Sequence, residues 1–292
     1  MAKIFGVNTK IRGKVGEYIY RQTKVGTVVS EAPVKPVTPR RSQQQMNIRT
    51  QWANLGAIYK QFDSMLRRGF EELPPHMSVY NAFIQANLGV VKVYITKTMR
   101  LNGGSILAPY QITRGSLPSI SMAKNASNIL VSSVRLGTLS ITATTTVAQF
   151  SQAVIDNNTA FIEGDQLTFF HGRQSVDSVT RTPRATITGY KVVLNTADDT
   201  PLWNVVERIG FSVADNCLAT SEQITNGAAV WVHSRETADN ALKVSTQFFF
   251  VENSALATYQ SNSAILASVN SYGGINSAAV YLQPELNATV TP

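Results

Sequence analysis

Cysteine is almost missing from this chain. Cys217 stands alone among 292 residues, so no disulfide can form within it. That is compatible with a reducing compartment, and also with the many extracellular proteins that carry no disulfide. Histidine is scarce too. His76, His171 and His233 are the full set, and none stands at the spacing of a zinc site. No apolar run approaches the ~20 residues of a membrane helix; Thr246–Val251 suits a buried strand. The opening Met1–Val7 is too short and too mixed for the apolar core of a signal peptide. No G-x-S-x-G elbow, Walker A loop or GxGxxG loop occurs, and Gly13-Lys14-Val15-Gly16 has the wrong length and leads into a strand.

Acidic residues are rare only in the first third. Residues 1–100 hold 16 Lys and Arg against 5 Asp and Glu, a net of +11; residues 101–292 hold 10 against 13, a net of −3. The asymmetry points the first third at something acidic: nucleic acid, a partner surface or a second copy of the chain. A solvated basic surface is the plainer reading, because the charges are scattered.

What is present has a clear order. Glu17-Tyr18-Ile19-Tyr20-Arg21 and Thr27-Val28-Val29-Ser30 flank Val25-Gly26 and predict a hairpin. Two strands alone are marginal, so this hairpin needs a host. Pro33, Pro36 and Pro39 make residues 32–39 an extended spacer. Ile48, Trp52, Leu55, Tyr59, Phe62, Leu66 and Phe70 follow at steps of three and four, with Met46, Ile58 and Met65 widening the stripe, which predicts a helix over 41–72 with these residues on its core face and Pro74-Pro75 at its end. A shorter helix over 77–88 completes a helical hairpin.

The period then changes. Strands are expected at Val91–Thr96, around Asn128–Val131 and Thr138–Thr144, and at Gln166–His171, Arg184–Leu194, Ala228–His233 and Lys243–Val251, with helices at Val147–Ile155 and Ala255–Ser268. Glu163-Gly164-Asp165, Ala197-Asp198-Asp199 and Asn226-Gly227 read as turns between them. The class is α+β: an N-terminal β-hairpin arm (1–40), a helical hairpin leading into the first core strand (41–100), and a mainly antiparallel sandwich or barrel-like domain with short inserted helices (101–292). The Gly- and Pro-rich stretch 100–118 is the expected boundary, and Pro284–Pro292 the expected surface tail.

Catalytic candidates are few. Cys217 could pair with His171 or His233, but a lone Cys in Asp-Asn-Cys-Leu-Ala reads as a small apolar residue. The paired carboxylates Glu163/Asp165 and Asp198/Asp199 sit at turns, where Asp and Gly serve the turn itself. No catalytic, metal or cofactor site is expected.

One resemblance does emerge. Gly13–Arg21, then Gly26–Ser30, Ala32-Pro33, Pro39-Arg40, Gln45 and Arg49 resemble the "GKVGN-x-V-x-R … NPRT-x-x-Q-x-x-x-R" opening of an uncharacterised family found in gut Bacteroidetes and their phages. Glu17 replaces the common Asn, and Arg41-Ser42 stands where Thr is usual. Later stretches, Glu163–Thr168, Val232–Glu236 and Lys243–Gln247, are similar to structural proteins of crAss-like phages. The resemblance brings no catalytic residue. It implies a non-enzymatic virion component of a podovirus-like particle, a ring or hub in the neck or tail, built from copies of itself beside other virion proteins. On this reading Arg12, Lys14, Tyr18, Tyr20, Arg21, Lys24, Lys35, Arg40 and Arg41 form the interface. A head-surface decoration or fibre protein is the nearest alternative. A nucleic-acid binder using its basic first third is another, and weak non-specific DNA contact is expected; Trp52 counts against it if committed to the helix core. A sandwich-domain hydrolase or adhesin is the third.

Overall fold

The computed structural model describes residues 2–4, 12–23, 26–32, 43–62 and 69–273, with backbone only at 2–4 and 43. The spacer 33–39, Lys24, Lys35, Arg40, Arg41, Met65, Leu66 and the tail 284–292 lie outside these residues.

The expected hairpin is present and wider than expected. β1 (Ala2–Ile4), β2 (Gly13–Val15), β3 (Tyr18–Thr23) and β4 (Gly26–Glu31) form an antiparallel sheet in the order β1-β4-β3-β2. None of its strands pairs with another sheet among the described residues.

The rest is layered. Helices α1 (Gln43–Phe62), α2 (Val79–Asn87) and α3 (Lys97–Leu101) come first. Then follow β5 (Gln111–Thr113), β6 (Met122–Lys124), β7 (Leu130–Arg135), α4 (Val147–Asn157), β8 (Gln166–Val176), β9 (Pro183–Val193), β10 (Ser212–Ala214), β11 (Cys217–Ala219) and β12 (Gly227–Glu236). The chain continues through β13 (Leu242–Val244), β14 (Gln247–Phe248), β15 (Phe250–Glu252), α5 (Leu256–Gln260) and α6 (Asn262–Ser271).

β13-β12-β8-β9 is the central sheet, and β15 also pairs with β12. β8 and β9 pair along their full length, from Gln166↔Val193 to Val176↔Pro183. Side chains alternate across the pleat, and here both faces are covered. Phe170, Ile187, Ala228, Val230 and Val232 join Leu55, Ile58 and Phe62 of α1 and Phe83 of α2 in one core. Leu167, Phe169, Val192, Ala229 and Trp231 join Leu130 and Val134 of β7, Phe150 of α4 and Leu218 of β11 in a second. The second core therefore lies between the central sheet and the smaller sheet β10-β11-β7-β6. The α+β class holds; among the described residues no sheet closes into a barrel.

Local chemistry explains several ends. Ser78 caps α2 by accepting from Asn81 N–H, and Thr146 and Gln149 cap α4 reciprocally. Trp231 donates through Nε1 to the Gly210 carbonyl at 2.8 Å, and a side chain on Gly210 would run into the Phe169 ring.

Other expectations need correction. Helix α1 is described only to Phe62, and by Phe70 the chain is already in an isolated bridge with Arg114, well before Pro74-Pro75. Ile48 and Trp52 of the expected core face are half exposed, at 50% and 41%. Leu55, Phe62, Met46 and Ile58 are buried as expected, Tyr59 partly, and the buried face also holds Thr50, Gln51 and Asn54. The physical cause is polar burial. Asn54 accepts from Ile106 N–H at 2.8 Å and donates to Tyr110 Oη at 2.5 Å, while Gln51 accepts from Gly89 N–H at 3.1 Å. Satisfied amides turn the helix away from its purely apolar stripe.

Val91, Val93, Tyr94 and Ile95 are buried but join no ladder; Tyr94 N–H donates to the Tyr259 carbonyl instead. Thr138–Thr144 forms turns. Lys243–Val251 breaks into pieces of three short strands, and the last helix breaks at Ser261, which caps α6. The stretch 100–118, expected as a boundary, carries Ile106, Leu107, Ala108, Tyr110 and Ile112 into the first core.

Candidate interaction surfaces

The N-terminal sheet is built by alternation, yet neither of its faces is buried. In β2–β4 the register sets Val15, Tyr18, Tyr20 and Val29 on one face, and Lys14, Ile19, Arg21 and Val28 on the other. Of the described side chains only Thr27 is buried; Val15 is 59% and Tyr18 49% exposed. Arg12, Lys14 and Arg21 are exposed as well. The structure thus brings Lys14 and Arg21 together, sets Tyr18 and Tyr20 opposite them, and places Arg12 just before β2. Gly16 takes φ +58° in the turn between β2 and β3, a conformation that favours glycine.

A second surface lies on the outer side of α1. Trp52 Nε1 donates to Tyr80 Oη at 2.7 Å, and Tyr80 meets the Tyr59 ring edge-on with 5.1 Å between centroids. These contacts fix Trp52 without covering it. Ile48, Trp52 and Tyr80 line a groove of about 1150 Å³ whose walls also carry Arg49, Lys60, Lys97 and Arg100. The cations come from α1 and α3 and the closing Tyr272 follows α6, so no local motif marks the site. Sequence reasoning missed it for that reason.

The third feature is a buried polar cluster. Asp165 precedes β8, and His233 and Arg235 share one face of β12. Arg235 donates to both Asp165 oxygens, from Nε at 2.6 Å and from a terminal nitrogen at 2.7 Å. His233 Nε2 stands 2.8 Å from Asp165 Oδ2, and a carboxylate only accepts, so Nε2 carries the proton. Ile162 N–H adds a further bond to Oδ2 at 2.9 Å. Burial raises the Asp165 carboxyl, but the bonds from Arg235, His233 and Ile162 outweigh it and hold it at about 2.

This cluster is a lock. The side chains of Asp165 and His233 are fully buried, Phe161 stacks on the imidazole at 4.1 Å, and Arg235 also holds the Ala160 carbonyl. It ties the turn at 160–165 to β12. Both anchors fall in the stretches Glu163–Thr168 and Val232–Glu236, the signal that could have paired them. His233 Nδ1 has no partner, so no nucleophile is bonded to it. Cys217 lies in β11, in a different sheet from the strands carrying His171 and His233. Among the described residues no group of three His, Cys, Asp or Glu could hold a metal ion, and no helix is long and apolar enough to cross a membrane. Comparison with known protein families, with curated proteins and with solved structures finds no match.

Proposed function

We propose that this chain is a non-enzymatic structural subunit of a tailed-phage virion. It assembles as a homo-oligomeric ring or hub of the neck or tail, beside other virion proteins. The observation that carries the reading is the N-terminal sheet. Four strands pair in register, yet no described apolar side chain among them is buried. Small sheets need an apolar face against something to be stable, so a neighbouring subunit supplies that face. The charge division of +11 and −3 supports head-to-tail contact between copies, which closes into rings. The resemblance of the N-terminal motif and of the two stretches meeting at Asp165 and His233 supports the virion setting.

Native mass measurement of the full chain and of a chain lacking residues 1–40 tests this. The full chain is expected to oligomerise, and the shortened chain to be monomeric with an unchanged thermal transition. The same oligomer after deletion, or loss of folding, refutes it. Mass spectrometry of purified particles tests the virion setting separately: the chain is expected among the particle proteins, and its absence rejects that setting.

A further inference from the structure

The groove beside α1 is positive on both walls. Arg49 and Lys60 are 11 residues apart on α1, roughly 16 Å along its axis. Lys97 and Arg100 belong to α3 across from them. No Asp or Glu is among its described lining residues, and none of the four cations joins an ion pair among them. Like charges facing one concavity raise the local potential and draw anions to it.

Tyr272 adds an independent sign. It is only 7% exposed and lines the groove; the Arg100 guanidinium faces its oxygen and can only donate, so no acceptor meets its hydroxyl proton. Burial pushes its phenol up, against the opposing pull of Arg100 and Arg49, so the hydroxyl keeps its proton and remains a donor. A buried donor lacking an acceptor is costly. With two guanidiniums acting on it, the acceptor that fits is an anionic oxygen.

Trp52 supplies the third element. Its ring is held by Tyr80 yet 41% exposed inside this positive groove. We propose that the groove binds single-stranded nucleic acid, with backbone phosphates on Arg49, Lys97, Arg100 and the Tyr272 hydroxyl and an unpaired base against Trp52. Stacking on a fixed ring together with a cationic track is how single strands are held without sequence preference. A duplex keeps its base faces stacked internally. An acidic peptide would meet the charges, but its carboxylates offer no planar ring to Trp52, whereas each unit of a nucleic-acid strand brings both a charge and a base. The inference rests on the groove alone and stands apart from the assembly proposed above.

The test is fluorescence anisotropy of the full chain with a short labelled oligothymidylate over a salt series. Duplex of equal length and polyglutamate serve as competitors. Binding is expected at low salt, with the logarithmic salt slope falling by ~0.7 for each phosphate contact removed. Arg49→Glu with Arg100→Glu should weaken binding by more than roughly tenfold, Trp52→Ala by roughly tenfold, and Tyr272→Phe by roughly fivefold. Duplex and polyglutamate should displace the oligonucleotide poorly. No binding at low salt, or a double reversal that binds like the parent chain, overturns the proposal. So does displacement by polyglutamate at matched charge, which would make the groove a seat for an acidic polypeptide. Thermal transitions check folding. Should the double reversal unfold, Lys97→Ala and Tyr272→Phe decide, since each removes one group: unchanged affinity in both rejects the site.

Discussion

Two antiparallel sheets in this chain use the same pairing and differ in what covers them. In the central sheet β12 is buried from Gly227 to Ser234, with one core on each face. In the N-terminal sheet the strands register as cleanly, yet only Thr27 is buried among the described side chains. Hydrogen-bonded ladders alone do not make a sheet stable; the apolar area it removes from water does. The first sheet finds that area inside the chain. Among the described residues the second does not.

The comparison can be broken or sharpened by experiment. Trp231→Ala should have the largest effect, a loss of about 3–5 kcal/mol, since the ring is fully buried and bonded to Gly210. Chemical denaturation measures it, and a loss near 1 kcal/mol would show that the second core is loose. Arg235→Ala should cost about 3 kcal/mol, because it leaves the buried Asp165 carboxylate short of its main partner.

Acid offers a milder probe. Asp165 is held at about 2 in the folded chain, against about 3.9 when unfolded. Its folded value is depressed, so its contribution is present above pH ~4 and is lost as pH falls through about 2. It amounts to about 2 kcal/mol. Stability curves of the parent chain and Asp165→Asn should therefore converge between those limits; curves that stay parallel reject the linkage.

Trp52→Ala should cost about 1 kcal/mol, the bond to Tyr80 and a half-covered ring. Smallest of all, Val15→Ala with Tyr18→Ala should leave the body's thermal transition within about ±0.5 kcal/mol while dissociating the oligomer. A clear drop in the transition would mean that the N-terminal sheet is stabilised by its own chain after all.

Much of the architecture was legible because it is local. Short runs of strand-forming residues marked the first half of β8, nearly all of β9 and most of β12, and Val147–Ile155 was marked by its apolar spacing and closed by Asn157-Asn158. Helix α1 was legible as a helix and misread in its facing. Thr50, Gln51 and Asn54 look like an outer face until their partners, Gly89, Ile106 and Tyr110 among them, are known, and those lie 38 to 56 residues away. Val91–Thr96 carried strand composition without the neighbour a ladder needs. Lys14, Tyr18, Tyr20 and Arg21, expected at an interface, could be placed on a hairpin from sequence, but that neither face would be covered among the described residues could not. The groove was illegible, since Arg49, Lys97 and Tyr272 meet only through tertiary packing.

The double burial of β12 also bears on the order in which the chain can be made. At ~5–20 residues per second, the ribosome takes on the order of seconds to go from the end of β9 at Val193 to the end of β12 at Glu236. Until β12 is made, the β8 edge with which it pairs lacks that partner, although α1, α2, β7 and α4, which pack on Phe170 and Phe169, precede it in the chain. A β8 edge left open is a template for another copy's strand. The yield of soluble protein therefore depends on how promptly residues 227–236 arrive, and slowing translation just before Gly227 should divert product into aggregates more than slowing it after Glu236.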